Sequence, residues 1–156
     1  MKKKIYIIAL LSIFIDQVTK FIIINTFRPF TGKSIIKNVF ELMYVKNTGA
    51  AWGILDNNLP ILIFISIIAL FLLYRYINKE KNITKLMIIS YGLLMGGITG
   101  NLIDRVFRTY VVDFIHIYIF NYSYPVFNMA DIFIIVGIIL MLIEVVRGEV
   151  NAHKSR

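Results

Sequence analysis

The sequence predicts an all-α integral membrane fold, four helices that cross a bilayer with a small sheet outside it. Three observations carry that expectation. Apolar residues make up 58% of the 156, and the mean hydropathy is +0.76, where soluble domains hold roughly 45–50% apolar residues. A soluble chain this short has too much surface per unit volume to hide so many apolar side chains. Four apolar runs approach or reach the roughly 20 residues that a helix needs to cross a bilayer, and most basic residues stand at the ends of those runs. The length suits one domain, residues 1–156, with no repeat, low-complexity tract or linker to divide it.

The first span is expected over about 5–24, behind Lys2, Lys3 and Lys4. A basic start followed by an apolar run also describes a cleavable signal peptide. Asp16, Gln17 and Lys20 interrupt the apolar stretch, however, and no A-x-A site follows. Residues 26–58 mix turn formers (Thr31, Gly32, Asn47, Thr48, Gly49, Gly53) with runs at Ile35–Ile36 and Val39–Val45 that suit short strands. A second span covers about 59–77, and a third about 86–103. Residues 105–130 are dense in Tyr, Phe and Ile, the composition favoured at the headgroup layer. A fourth span covers about 132–146 and begins nearer Met129 if it is to reach across.

Lysine and arginine set the orientation. Lys2–Lys4, then Arg75, Lys79, Lys81 and Lys85, then Arg147, Lys154 and Arg156 fall on one side of an even number of spans. That side is expected to be the cytoplasm, with both termini inside and segments 26–58 and 105–130 outside. The net charge of +8 would suit nucleic acid or an anionic membrane surface. Basic residues that flank apolar runs favour the membrane, and no nucleic-acid partner is expected. The chain has no cysteine, which excludes disulfides, thiol nucleophiles and Cys-bound zinc.

Ionisable groups inside a span are costly unless paired or wetted, so each is a functional candidate. Asp16 and Lys20 lie one helical turn apart and can form an internal ion pair, itself compatible with supporting an active site. Gly92, Gly96 and Gly100 make a stripe on the third span that lets a neighbouring helix approach closely. Asn101, Asp104 and Arg105 follow at the end of that helix. Asp113 stands alone in an apolar stretch, and Asp131 stands at the mouth of the fourth span. Both are expected near the same membrane surface. Two carboxylates there can share one proton, because burial and mutual repulsion raise one of them. The ionised one can then activate water while the protonated one polarises a carbonyl. Asp131, at a helix N-terminus, is favoured as the anion, which leaves Asp113 to hold the proton. Spacing alone favours Asp131 as a helix cap and Asp113 as a lone surface charge, since carboxylates near helix ends are common.

Other chemistries find little support. There is no H-E-x-x-H or G-x-S-x-G, and His116 and His153 are the only histidines. A serine–lysine pair would require Ser34 or Ser123 beside Lys20. A small transporter or ion-conducting protein could use Asp16, Lys20 and Asp104, but would need charges spread through the membrane depth. A purely structural protein leaves the paired aspartates without a purpose.

Five blocks taken in order resemble lipoprotein signal peptidase, or signal peptidase II. Asp16-Gln17-Val18-Thr19-Lys20 resembles its Asp-x-x-x-Lys in the first helix. Asn47-Thr48-Gly49-Ala50-Ala51-Trp52 resembles its Asn-x-Gly-Ala-aromatic stretch. Gly96 to Arg105 resembles its Gly-rich run ending in Asn-x-x-Asp-Arg, while Val112-Asp113-Phe114 and Phe127-Asn128-Met129-Ala130-Asp131 resemble its two aspartate motifs. Trp52 stands where Phe is usual, and Ile132 where a small polar residue is often found. The resemblance implies an aspartic endopeptidase of the bacterial cytoplasmic membrane. It would cut the signal peptide from a prolipoprotein just before a cysteine carrying diacylglyceryl. Asp113 and Asp131 would be the catalytic dyad. Asn47, Gly49, Asn101, Arg105 and Asn128, with Asp16 and Lys20, would bind substrate or support the site. It further implies four helices, a small sheet and an interfacial helix, no metal or cofactor, lipid and lipidated precursors as partners, inhibition by globomycin, and a monomer.

Overall fold

The computed structural model describes residues 2–49, 55–120 and 122–154, with backbone alone over 148–154. Ala50, Ala51, Trp52, Gly53 and Arg156, named above, lie outside the described residues. Four long helices form: α1 (Lys2–Thr26), α2 (Leu59–Lys79), α3 (Lys85–Arg108) and α4 (Met129–Lys154). Each carries a stretch long and apolar enough to cross a membrane, that of α4 being Met129–Arg147. Successive helices run in opposite directions, so that the ends of α1 and α3 lie with the starts of α2 and α4. At the opposite end Lys2 Nζ donates to the Asn78 carbonyl at 3.0 Å, tying the start of α1 to the end of α2.

Local chemistry accounts for the helix ends. Thr84 caps α3, its hydroxyl accepting from the Met87 N–H at 3.2 Å. Thr109 closes α3 in the left-handed region at φ 67°. Pro60 sits in the first turn of α2, where a missing N–H costs nothing. The helix α3 reaches five residues past the apolar run, to Arg108, because Asp104 and Arg108 find partners instead of water.

α3 is the hub of the bundle and packs against the other three helices. The glycine stripe explains how. A side chain at Gly92 would meet Ile8, and one at Gly100 would meet the Asp16 carboxyl, so this face of α3 lies directly on α1. Gly97 and Gly137 allow the same approach between α3 and α4. Large apolar side chains of α1, α2 and α4, among them Phe14, Phe64 and Leu142, face outward. Such an exterior belongs in lipid.

The sheet caps the end of the bundle where α4 begins. It contains β1 (Gly32–Ile36), β2 (Phe40–Asn47), β3 (Val111–Ile119) and β4 (Tyr122–Ser123), in that spatial order and antiparallel throughout. β1 and β2 match the strands expected from residues 35–36 and 39–45. Residues 105–130 hold the last turn of α3, two strands and the start of α4, so the expected interfacial helix has no counterpart among the described residues. The run Val111–Ile119 is rich in β-branched and aromatic residues, which suits a strand paired on both sides. Ile23 of α1 packs with Tyr44, Val112 and Phe114, and this apolar cluster fixes the sheet on the bundle.

Candidate active site

Asp113 projects from β3, where Val45 of β2 is its cross-strand partner. The residue is 2% exposed. Asn47 Nδ2 donates to its Oδ2 at 2.7 Å, and Asn128 Nδ2 donates to its Oδ1 at 2.6 Å. Burial in an apolar setting raises the Asp113 carboxyl, and the charge of Asp131 raises it further. The Asn47 and Asn128 donors and Lys20 pull the other way, and the balance is a group pushed up to about 7.

Asp131 lies in the first turn of α4 and is held there by a reciprocal cap. The Asn128 backbone N–H donates to Asp131 Oδ2 at 3.0 Å, and the Asp131 N–H donates to Asn128 Oδ1 at 3.1 Å. This is the capping-box geometry with Asp in place of Glu. The helix-cap reading of Asp131 is therefore realised, and it does not consume the whole carboxyl. Oδ1 accepts from Asn101 Nδ2 at 2.8 Å. Asn128, fully buried, thus touches both aspartates. Asp113 and Asp131 line one cavity of about 720 Å³, with Asn47, Gly49 and Phe127 among its walls and Ile134 and Ile135 of α4 on the apolar side.

Beneath the aspartates lies a cluster of buried charges. Lys20 Nζ is 2.9 Å from Asp16 Oδ2, 3.0 Å from Asp104 Oδ2 and 2.9 Å from Asn101 Oδ1, which exhausts its three protons. Asn101 Oδ1 also accepts from Asn128 Nδ2 at 3.2 Å. With its oxygen held by two donors, Asn101 can turn only its Nδ2 toward Asp131. Asp16 Oδ1 accepts from the Ala130 N–H at 3.0 Å, so α1 caps a donor at the start of α4. The Asp16–Lys20 pair is as expected. Lys20 is wholly buried among these groups, which removes it from any serine–lysine pair. Ser123 instead meets His116 Nε2 at 2.8 Å, and His116 Nδ1 lies 3.2 Å from Glu41 Oε2.

Three members of the cluster stood outside the expected site. Asp104 accepts from Lys20, from Gln17 Nε2 at 3.1 Å, from Arg108 and, through Oδ2, from the Val112 N–H at 3.0 Å. Gln17 also accepts from Arg108 Nη1 at 3.0 Å. The four-residue step from Asp104 to Arg108 was the available signal for the pair. Arg105 donates to the Gly49 carbonyl at 3.1 Å. The Gly49 N–H in turn donates to Asn47 Oδ1 at 2.9 Å, so Arg105 and Asn47 together fix the first turn after β2.

The family model for Signal peptidase (SPase) II matches residues 8–147. The chain belongs to the signal peptidase II family. It is therefore an aspartic peptidase of lipoprotein processing, and a multi-pass membrane protein with lipoprotein substrates. Solved structures agree. One, described as a bacterial membrane enzyme structure obtained by the in meso method at 2.3 Å resolution, is 36% identical. It aligns over 93% of this chain and 88% of its own with a TM-score of 0.86. A second, of the same description at 1.9 Å, is 37% identical over 89% of this chain and 90% of its own, with a TM-score of 0.80. The transporter reading has no structural support, since Asp16, Lys20 and Asp104 pair with one another, and Asp104 with Arg108, at a single end of the bundle.

Proposed function

We propose that this signal peptidase II works as a single domain, with Asp113 and Asp131 as a catalytic dyad that cuts diacylglyceryl-modified prolipoproteins just before the lipidated cysteine. The observation that carries the reading is the shared cavity, in which Asn128 touches both carboxyls and Asp113 is pushed up to about 7. Near neutral pH such a pair holds one proton between two oxygens that face the same space.

Asp131, supplied with N–H donors at a helix start, takes a proton from the attacking water. Asp113 keeps the shared proton and donates it as a hydrogen bond to the scissile carbonyl oxygen, stabilising negative charge as the tetrahedral intermediate forms. Collapse of that intermediate breaks the C–N bond, and the proton taken from water passes to the leaving nitrogen. Asn47 and Asn128 hold Asp113 in place, Asn101 holds Asp131, and Lys20 holds Asn101. Arg105 and Gly49 shape the turn against which the substrate backbone rests, and Asp16 steadies the start of α4.

The apolar wall at Ile134 and Ile135 supports access from lipid, because Ile135 is half exposed on the outside of α4. A substrate anchored by its own acyl chains reaches the dyad by lateral diffusion, already placed at the correct depth. The basic residues flanking the spans support an orientation with both termini in the cytoplasm and the dyad near the outer leaflet. The enzyme acts as a monomer embedded in lipid, and a globomycin-type cyclic peptide competes for the cavity.

The deciding experiment incubates purified protein with a diacylglyceryl-modified precursor, with and without globomycin. Cleavage should leave the modified cysteine as the new N-terminus. Asp113→Asn and Asp131→Asn should each remove cleavage while the protein stays inserted and folded. Substantial turnover by either folded variant would eliminate the dyad.

A further inference from the structure

The bundle accounts for the apolar exterior of the helices, but not for the apolar side chains at the far end of the sheet. The β1–β2 turn and the β3–β4 turn meet there. Ile36 pairs with Phe40, Phe40 pairs with Ile117, and the Tyr118 N–H donates to the Val39 carbonyl at 2.9 Å. Ile36 is 54% exposed, Val39 51%, Tyr122 57% and Phe120 96%. Phe120 takes φ 55°, a region bulky residues rarely occupy, and projects its ring away from the protein. Every residue of β1 is exposed, including Lys33, and Lys37 stands in the turn that follows.

An apolar tip with lysines beside it does not suit open water. It does suit the interface of an anionic bilayer, where rings and aliphatic groups enter the acyl boundary and ammonium groups meet phosphates. The route of the chain favours the same surface. Phe21 and Ile22 of α1 face lipid, and the chain then passes through Phe30, itself exposed, into β1. The Phe30 N–H donates to the Tyr44 carbonyl at 2.7 Å, and Tyr44 packs on Ile23, one turn from the end of α1. The edge of the sheet therefore departs from the level at which α1 leaves the membrane.

We propose that the two hairpin ends form a second membrane contact, separate from the four spans, in which Ile36, Val39, Phe120 and Tyr122 enter the headgroup layer and Lys33 and Lys37 bind anionic lipid phosphates. The contact holds the sheet flat over the bilayer on the side where the cavity opens.

The absence of cysteine gives a direct test, since Ile36→Cys or Phe120→Cys provides a single site for a nitroxide label. The full-length protein is reconstituted into vesicles of phosphatidylcholine alone, or of phosphatidylcholine with phosphatidylglycerol. Collision of the label with oxygen is compared with collision with a water-soluble nickel chelate. Both labels should be shielded from nickel and open to oxygen in the anionic vesicles. Lys33→Glu with Lys37→Glu should shift them toward nickel accessibility there, and less in phosphatidylcholine. Labels that stay fully nickel-accessible in both vesicles would overturn the proposal. So would shielding that arises only when lipidated precursor is added, which would assign the surface to substrate. Strong spin–spin broadening between labels would assign it to a second copy, again against the proposal.

Discussion

Replacing Asp113 with asparagine should make the protein more stable in mildly alkaline solution and less stable in acid. The carboxyl moves from 3.8 in the ordinary state to about 7 in the fold, about three units at 1.36 kcal/mol each, or about 4 kcal/mol. Because the folded value is the higher one, the favourable contribution is complete below about 3.8 and is lost as pH rises through about 7. Above that the fold carries a buried charge that its neighbours only partly offset. Asparagine carries no charge at any pH. It has only one acceptor oxygen for the two donors that Asn47 and Asn128 direct at this side chain, a mismatch worth about 1–3 kcal/mol against it. The variant should therefore be roughly 1–3 kcal/mol less stable near pH 4 and about as much more stable near pH 8. The firmest expectation is the swing of about 4 kcal/mol between those limits, most of it complete by pH 7. Equilibrium unfolding in mixed detergent micelles, on both proteins across that range, measures it. A difference that stays flat with pH would show that the Asp113 carboxyl is not a raised, buried acid, and the assignment of the shared proton would go with it.

Further expectations follow from the same geometry. The kcat/KM for precursor cleavage should fall as pH rises through about 7, where Asp113 gives up its proton. Asn47→Ala removes a donor that holds that value down, so it should move the limb to higher pH, and a limb that moved lower would contradict the bond. Lys20→Met should cost about 3–5 kcal/mol in the same unfolding assay, because Asp16 is left buried without its cation and Asp104 keeps only Arg108; a loss below about 1 kcal/mol would mean the cluster is hydrated. Asn128→Ala removes the cap of α4 and the tie between the aspartates, and should lower stability by about 1 kcal/mol for the cap while cleavage falls by about a hundredfold or more. At Gly97 an added methyl would lie 2.5 Å from the Ala130 carbonyl oxygen, so Gly97→Ala should push α4 outward beside Asp131 and lower kcat in a protein that still inserts.

The four spans were legible because lipid imposes a demand that sequence displays openly: a long apolar run with charges at its ends. The same demand made Asp16 and Lys20 conspicuous. Asp104 and Arg108 drew less notice because they sit past the apolar stretch, where charge is ordinarily solvated, although α3 continues there, burying Asp104 and partly covering Arg108. The strand Val111–Ile119 was present as a β-branched and aromatic run, but the density of rings around it pointed equally to a headgroup layer. Local composition cannot separate those two settings; pairing with β2 does. Asp113 could be named as a lone carboxylate in an apolar stretch, and Asp131 from its place at the start of a span. That Asn128 would hold one with its side chain and the other with its backbone depends on how α4 starts, and spacing does not encode it.

Asp104 has one further consequence. One of its oxygens neutralises Lys20 of the first helix, and that same oxygen holds the amide of Val112, immediately before Asp113. Docking of the first and third helices and placement of the strand that carries Asp113 are thus a single event. A chain in which those two helices had not yet docked would carry Asp113 and Asp131 without holding the strand of the proposed dyad in place.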